Sequence, residues 1–355
     1  MHRTAPDPAG IRAAWQGRVS GCLLGKPVEV LSFRAGLAGL RGYLQAAGAL
    51  PLRDYVPRLD SDEGRALPPG CCRGELVRAE PDDDINYTVL ALLLLERHGT
   101  ALCTADVARS WLRLLPAGTT WTAERAAYRK LLEHMDDEFV NGADAGFDLA
   151  ICADNPCNDW IGAQIRAYLC GWGSPGRPEL AAGLAARDAA LSHRGEGVNG
   201  AVVVAALAAS IPASGSLAEA FAAALAQLPA ASDAAAAVRR GLALAGRDDV
   251  PEQLHAEFAG LPPVHTLNNL AVVAWALATA GEDFCAAIGY AVAAGWDTDS
   301  NGATVGGLAG LRSRSVPETW TRPWRGRVGV DLAGMADLEL ADLAGRTVAV
   351  AEQLQ

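Results

Sequence analysis

The sequence predicts an all-α fold, a compact single-domain multi-helix bundle. Three observations carry this. Apolar residues recur every three or four positions along most of the chain, alternating strand patterns bounded by turn residues are scarce, and Gly and Pro fall mostly at the ends of periodic stretches. No linker rich in Ser, Pro, Gly or charge divides the 355 residues, so 1–355 reads as one unit.

Asp7-Pro8 is a helix start, because proline suits the first turn, and Ile11, Trp15, Val19, Cys22 and Leu23 then share a face until Gly25-Lys26-Pro27 stops the helix. The stretch 36–80, rich in Gly, Pro and Arg, reads as irregular connection, and a long loop of this kind could form a lid over a site. Ile85, Val89, Leu92 and Leu93 mark a helix that is apolar on nearly every side. Thr104 is placed to cap a helix running to Pro116, and Ser216 with Glu219 forms a capping box ahead of Phe221 and Leu225. Further helices are expected near 122–135, 179–191, 198–210, 233–245, 266–280, 283–294 and 337–354.

Two acidic clusters stand before helix-like stretches that have no need of charge. Asp82-Asp83-Asp84 precedes the apolar helix, and Asp297-Thr298-Asp299-Ser300 precedes a segment whose Gly302, Ala303, Gly306, Gly307 and Gly310 leave room for another backbone. Carboxylates at helix starts ordinarily cap amides, each contributing roughly 0.3–1 kcal/mol. Up to five of them gathered together, with Arg78 the nearest basic residue in the chain, would repel one another unless a cation joined them. Oxygen ligands without adjacent His or Cys indicate a hard ion such as Mg, Mn or Ca rather than Zn, and two clusters could hold two ions.

The formal net charge of −11 and pI near 5.0 argue against a nucleic-acid partner, and no basic patch with interleaved aromatics occurs. The eight cysteines form no Cys-x-x-Cys, and the N-terminus lacks the basic-then-apolar pattern of a signal peptide, which predicts reduced thiols in a cytoplasmic protein. Apolar runs are interrupted before reaching about 18 residues, so no membrane span or membrane partner is expected. The sequence carries no signal of oligomeric state.

Several ordered blocks together resemble the ADP-ribosylglycohydrolases, all-helical enzymes with a two-magnesium site. Gly21-Cys22-Leu23-Leu24-Gly25-Lys26-Pro27-Val28-Glu29 is similar to the family's Gly-Asp-x-x-Gly-x-x-x-Glu, and Asp82-Asp83-Asp84 stands where the family has Thr-Asp-Asp. Ile161-Gly162-Ala163-Gln164-Ile165-Arg166 resembles a Gly-Ala-x-Arg segment, Leu191-Ser192-His193 follows, and Asp297-Thr298-Asp299-Ser300-Asn301 resembles Asp-x-Asp-Thr. The resemblance implies that Asp82, Asp83, Asp84, Asp297, Asp299 and Ser300 hold two Mg ions, with Mn as a substitute, and that Glu29 activates or positions the attacking water. Read alone, Glu29 is a surface residue after a proline turn.

On the substrate side the resemblance suggests Gly162, Ala163, Gln164, His193, Trp296 and Asn301. The first three could offer amides to a diphosphate or form a helix contact, His193 could bind substrate or be a structural cap, and Trp296 could wall a ribose pocket or simply be core. Arg166 could pair with a phosphate or anchor acids in the interior, and His265-Thr266-Leu267-Asn268-Asn269 could line the cavity or cap a helix.

Three departures from the family pattern are Cys22 for Asp, Asp82 for Thr, and Ser300 for Thr. Ser300 keeps a hydroxyl and Asp82 adds charge, whereas Cys22 removes a carboxylate. The implied function is hydrolysis at the anomeric carbon of a ribose, in an ADP-ribosyl substrate or, for a divergent branch, another small N- or O-riboside. The alternatives are a non-catalytic binder of ADP-ribose or nucleotides and a metal-dependent phosphohydrolase.

Overall fold

The computed structural model describes residues 4–140 and 146–355. It is 63% helix and 4% strand, in agreement with the all-α expectation. The helices that position the site are α1 (Pro8–Gly25), α2 (Glu29–Ala46), α3 (Asp83–His98), α4 (Gly162–Arg166), α5 (Gly195–Ser210), α6 (Thr266–Ala280) and α7 (Thr298–Ser313). Around them pack shorter helices and two two-stranded sheets, a parallel pair of Phe139–Val140 with Phe147–Asp148 and an antiparallel pair of Arg327–Gly329 with Asp337–Glu339.

The centre of the fold is an antiparallel pair, α1 against α7, the most extensive helix contact in the molecule. Its geometry follows from two glycine ladders at helical spacing. A Cβ on Gly17 would lie 2.0 Å from the carbonyl oxygen of Gly306, one on Gly21 1.9 Å from that of Gly302, and one on Gly25 2.1 Å from that of Thr298. Only glycine allows backbones this close. The antiparallel register brings the last turn of α1 onto the first turn of α7, where the Thr298 hydroxyl donates to the Gly25 carbonyl at 2.9 Å. The small residues after Asp299 thus have the function their spacing suggested; their partners on α1 carry the same signal.

The irregular reading of 36–80 is corrected in part. Residues up to Ala46 belong to α2, and Asp62–Ala66 is another short helix. Gly36 breaks α2 with φ 64°, which is why the segment looks loop-like, but Leu40, Tyr43 and Leu44 beyond the break are buried at helical spacing. Two smaller corrections concern helix ends. Cys103 rather than Thr104 is the N-cap of Thr104–Leu114, its amide donating to Asp106 at 3.1 Å, and 337–339 forms a strand before the C-terminal helix begins at Leu340.

Helix α5 and the turn after it, 195–213, are long and apolar enough to cross a membrane by length and composition. This segment contains the helix expected near 198–210, and Gly195, Glu196 and Asn199 at its start keep the uninterrupted apolar run shorter than a span. In the fold 72% of it is buried among other helices, the environment of a central core helix.

Candidate active site

Two backbone junctions deliver the acids. At the first, α1 ends at Gly25, a turn of 3₁₀ helix covers Lys26–Val28, and Glu29 opens α2 with no side-chain cap bond of its own. At the second, Gly295 and Trp296 both have positive φ, 79° and 59°, turning the chain sharply before Asp297. Positive φ is strained for a bulky residue. Trp296 is held there by stacking on His255 with ring centroids 3.9 Å apart, and its carbonyl accepts from the Ser32 hydroxyl at 2.9 Å. The Asn269 side chain braces the same loop, accepting from the Asp297 amide at 3.4 Å and the Asn301 amide group at 2.7 Å.

These junctions and the start of α3 gather two carboxylate triads that share Asp299. One is Glu29, Asp297 and Asp299; the other is Asp82, Asp84 and Asp299; in each, one oxygen per residue lies within 4.8 Å of the others. The triads differ in partners. Asp82 accepts from the Asp84 amide at 3.0 Å and from the Lys26 ammonium at 2.7 Å. Asp84 accepts from the Arg18 guanidinium at 2.8 Å and from the Ser300 hydroxyl at 2.9 Å. Glu29, Asp297 and Asp299 have no ion pair among the described residues, and Oδ1 of Asp299 is buried without a hydrogen-bond partner. Arg78, the basic residue nearest in sequence, pairs instead with Glu80 and Asp337. Lys26 and Arg18 are the cations the sequence reading missed, because both come from α1 or its end, more than fifty residues away.

The titration behaviour follows from this difference. Burial would raise Asp82, but the Lys26 ammonium outweighs it and holds the carboxyl below its ordinary value. Burial raises Asp84 to about 6 against the opposing pull of Arg18. Burial and then Asp299 push Glu29 well up; burial and then Glu29 push Asp297 up; burial and then Asp297 push Asp299 up. Asp83 is also raised, by burial and then Asp82, but it belongs to neither triad.

The acids form the floor of a cleft of about 810 Å³ lined by Glu29, Asp82, Asp83, Asp297, Asp299, Ser300 and Gly162, with Phe33, Trp121 and Trp160 as aromatic walls. Trp121 is 63% exposed, an unusual position for a tryptophan. Of the expected substrate contacts, Ala163, Gln164, His193, Trp296 and Asn301 are not on this lining. Trp296 and Asn301 shape the loop that carries Asp297, as above. His193 is buried behind the wall, its Nδ1 bonded to the Ser192 hydroxyl at 2.8 Å, and burial followed by Arg166 keeps it neutral. Gly162 presses on the Glu124 carboxylate, where a Cβ would meet Oε1 at 2.1 Å. Ala163 and Gln164 lie in the core behind it.

Arg166 proves to be an interior anchor, paired with Glu124 at 2.8 Å and Asp188 at 2.6 Å. In the 265–269 segment the His265 ring accepts from the Leu267 amide at 3.2 Å as a helix cap, and Asn268 donates to the Pro262 carbonyl at 3.1 Å. Lys26, Asn86, Trp121, Glu124, Trp160 and Asp331 line the cleft without having been singled out in the sequence. Gly17, Gly21 and Gly25 at four-residue intervals were a signal that could have found the first of them, since they fix where the end of α1 must go.

The family model described as ADP-ribosylglycohydrolase matches residues 6–352. A solved structure titled "ADP-ribosylglycohydrolase-related protein complex" shares the fold, with a TM-score of 0.56 and 20% sequence identity over 97% of this chain and 99% of that one. No curated protein matches this chain.

Proposed function

The chain belongs to the ADP-ribosylglycohydrolase family and is a glycosidic-bond hydrolase, and from that premise we propose that it is a magnesium-dependent enzyme cleaving at the anomeric carbon of a ribose, in an ADP-ribosyl substrate or a related riboside. The observation that carries this is the triad of Glu29, Asp297 and Asp299 at the floor of the cleft, three carboxylates without an internal cation and with a buried, unpartnered oxygen on Asp299. Such an oxygen-only set fits a hard divalent ion, and Glu29, Asp297 and Asp299 would hold it. When bound, such an ion supplies charge stabilisation and a fixed template for ribose hydroxyls.

The protein's own groups account for the remaining steps. Phe33, Trp121 and Trp160 hold the sugar and its neighbours against apolar walls and limit water to the acidic floor. Glu29 orients one water toward the anomeric carbon and takes its proton as the new C–O bond forms. The bond to the leaving group breaks with its electron pair going to the departing nitrogen or oxygen, and the proton held on the Glu29 carboxyl returns to solvent or to that group.

A second reading concerns the substrate. Among the described residues that line the cleft, seven carry carboxylates and Lys26 is the one with a cationic side chain. Diphosphates are usually recognised by Arg, Lys or clustered amides, so this balance favours a riboside without a diphosphate. A thermal-shift titration of metal-stripped protein with Mg, then with ADP-ribose or ribose on top, tests both. Stabilisation by ADP-ribose that requires Mg supports the first substrate, and stabilisation by ribose alone supports the second. No response to Mg would defeat the metal-dependent reading.

A further inference from the structure

We propose that Lys26 takes the place of one of the two divalent ions that the family pattern implies, so that this chain binds a single ion, at Glu29, Asp297 and Asp299. The proposal rests on the metal-dependent reading above. Its basis is that in the second triad every carboxylate oxygen of Asp82 and Asp84 already accepts a hydrogen bond from within the chain. Oδ1 of Asp82 accepts from the Asp84 amide at 3.0 Å and Oδ2 from Lys26 at 2.7 Å; Oδ1 of Asp84 accepts from Arg18 at 2.8 Å and Oδ2 from Ser300 at 2.9 Å. A divalent ion bound by these residues would share each of these oxygens with an internal donor and sit beside two positive charges, Lys26 and Arg18. At the first triad Oδ1 of Asp299 has no internal donor.

Lys26 is built into this position rather than draped over it. It follows Gly25, whose backbone is clamped against Thr298, and its ammonium donates to the Pro81 carbonyl as well as to Asp82, both at 2.7 Å. One turn earlier, Cys22 stands where the family motif has an acid, and its thiol is buried. The neutral thiol at Cys22 removes one carboxylate from this side and Asp82 restores one, so the Lys26 ammonium supplies the positive charge that faces the added acid. Lys26 also lines the cleft, so the same ammonium is placed to donate to a substrate oxygen on the side where the second ion would otherwise stand.

The test is equilibrium dialysis of the full chain against Mn²⁺, followed by metal analysis and electron paramagnetic resonance, on the wild type and on Lys26→Met. The expected result is about one Mn per wild-type chain with the six-line spectrum of an isolated ion, and about two per chain in Lys26→Met with the broadened spectrum of a coupled pair. Two ions in the wild type would overturn the proposal while leaving the metal-dependent reading intact. Absence of binding in both proteins would overturn that reading and this one with it. Because Lys26→Met leaves Asp82 without its cation, Lys26→Gln serves as the second variant, and one ion per chain in a variant whose circular dichroism matches the wild type would also count against Lys26 as the excluding group.

Discussion

Two groups of buried acids lie on either side of the same cleft and have opposite solutions to the same electrostatic problem. Glu124 and Asp188 flank Arg166, whose guanidinium is buried with them and lies over the rings of Tyr87 and Trp111 at 5.5 and 5.1 Å. Glu29, Asp297 and Asp299 are gathered as closely but meet no basic side chain among the described residues. The first group is complete in itself and holds the wall behind Gly162. The second is incomplete, and its incompleteness is the functional signal, because unpaired buried carboxylates persist only where something outside the chain completes them.

The strongest way to break this comparison is Asp299→Asn. Asp299 belongs to both triads, so the substitution is expected to lower turnover on the order of 10³-fold and to abolish stabilisation by Mg. The metal-free protein should melt no lower than the wild type, since one member of a repelling group has been neutralised. Asp83→Asn makes the useful contrast: Asp83 lines the cleft but stands in neither triad, so Mg stabilisation should survive it.

On the other side, Arg166→Met should leave Glu124 and Asp188 buried and unpaired at a cost of about 3–5 kcal/mol in stability, with no change in the number of ions bound. Chemical denaturation with urea measures the first and metal analysis the second. A mild effect on stability would mean that the two acid groups are not as different as their partners suggest.

Glu29→Gln sharpens the comparison within the incomplete group. Mg should bind more weakly, because one of its three carboxylates is lost, and at saturating Mg turnover should fall about 10²–10⁴-fold with little change in ligand affinity, because a carboxamide occupies the same space but cannot take a proton. Lost affinity with retained rate would show that Glu29 holds the sugar and leaves water activation to another group.

The smallest effect is a pH dependence on the complete side. His193 is held neutral by burial and by Arg166, so its folded pKa lies below the ordinary value near 6.5. As pH falls below that value the unfolded chain takes up a proton that the folded chain refuses, and stability is lost. Between pH 7.5 and 5.5 the loss from this residue should be on the order of 1 kcal/mol, and His193→Asn should lessen the pH slope of the melting temperature without altering its Mg dependence.

Much of the site was legible because its residues are unusual where they stand. Asp82, Asp84, Asp297 and Asp299 precede helices too apolar to need them, and Glu29 follows a proline turn in a recognisable motif; the fold brings all five within a few residues' width of one another. The contacts suggested around them fared differently. His193, Trp296 and Asn301 turned out to support the site from behind: His193 bonds Ser192 in the interior, Trp296 is turned onto His255, and Asn301 donates to Asn269. The aromatic walls Trp121 and Trp160 stand in stretches without periodicity, where sequence offers no clue to which surface a ring will face.

What the sequence by itself determined is therefore the helical class, the two acidic helix starts and the glycine-rich face behind the second, because each depends on residues close together in the chain: periodicity, capping and backbone clearance. What only the tertiary structure decided is which of those acids are already neutralised. Arg18 reaches Asp84 across 66 positions and Lys26 reaches Asp82 across 56, and the register that allows both is set by the contact of Gly17, Gly21 and Gly25 with α7. Charge neutralisation depends on distance in space through a factor that falls steeply within a few ångströms, and no local pattern in a sequence encodes that distance.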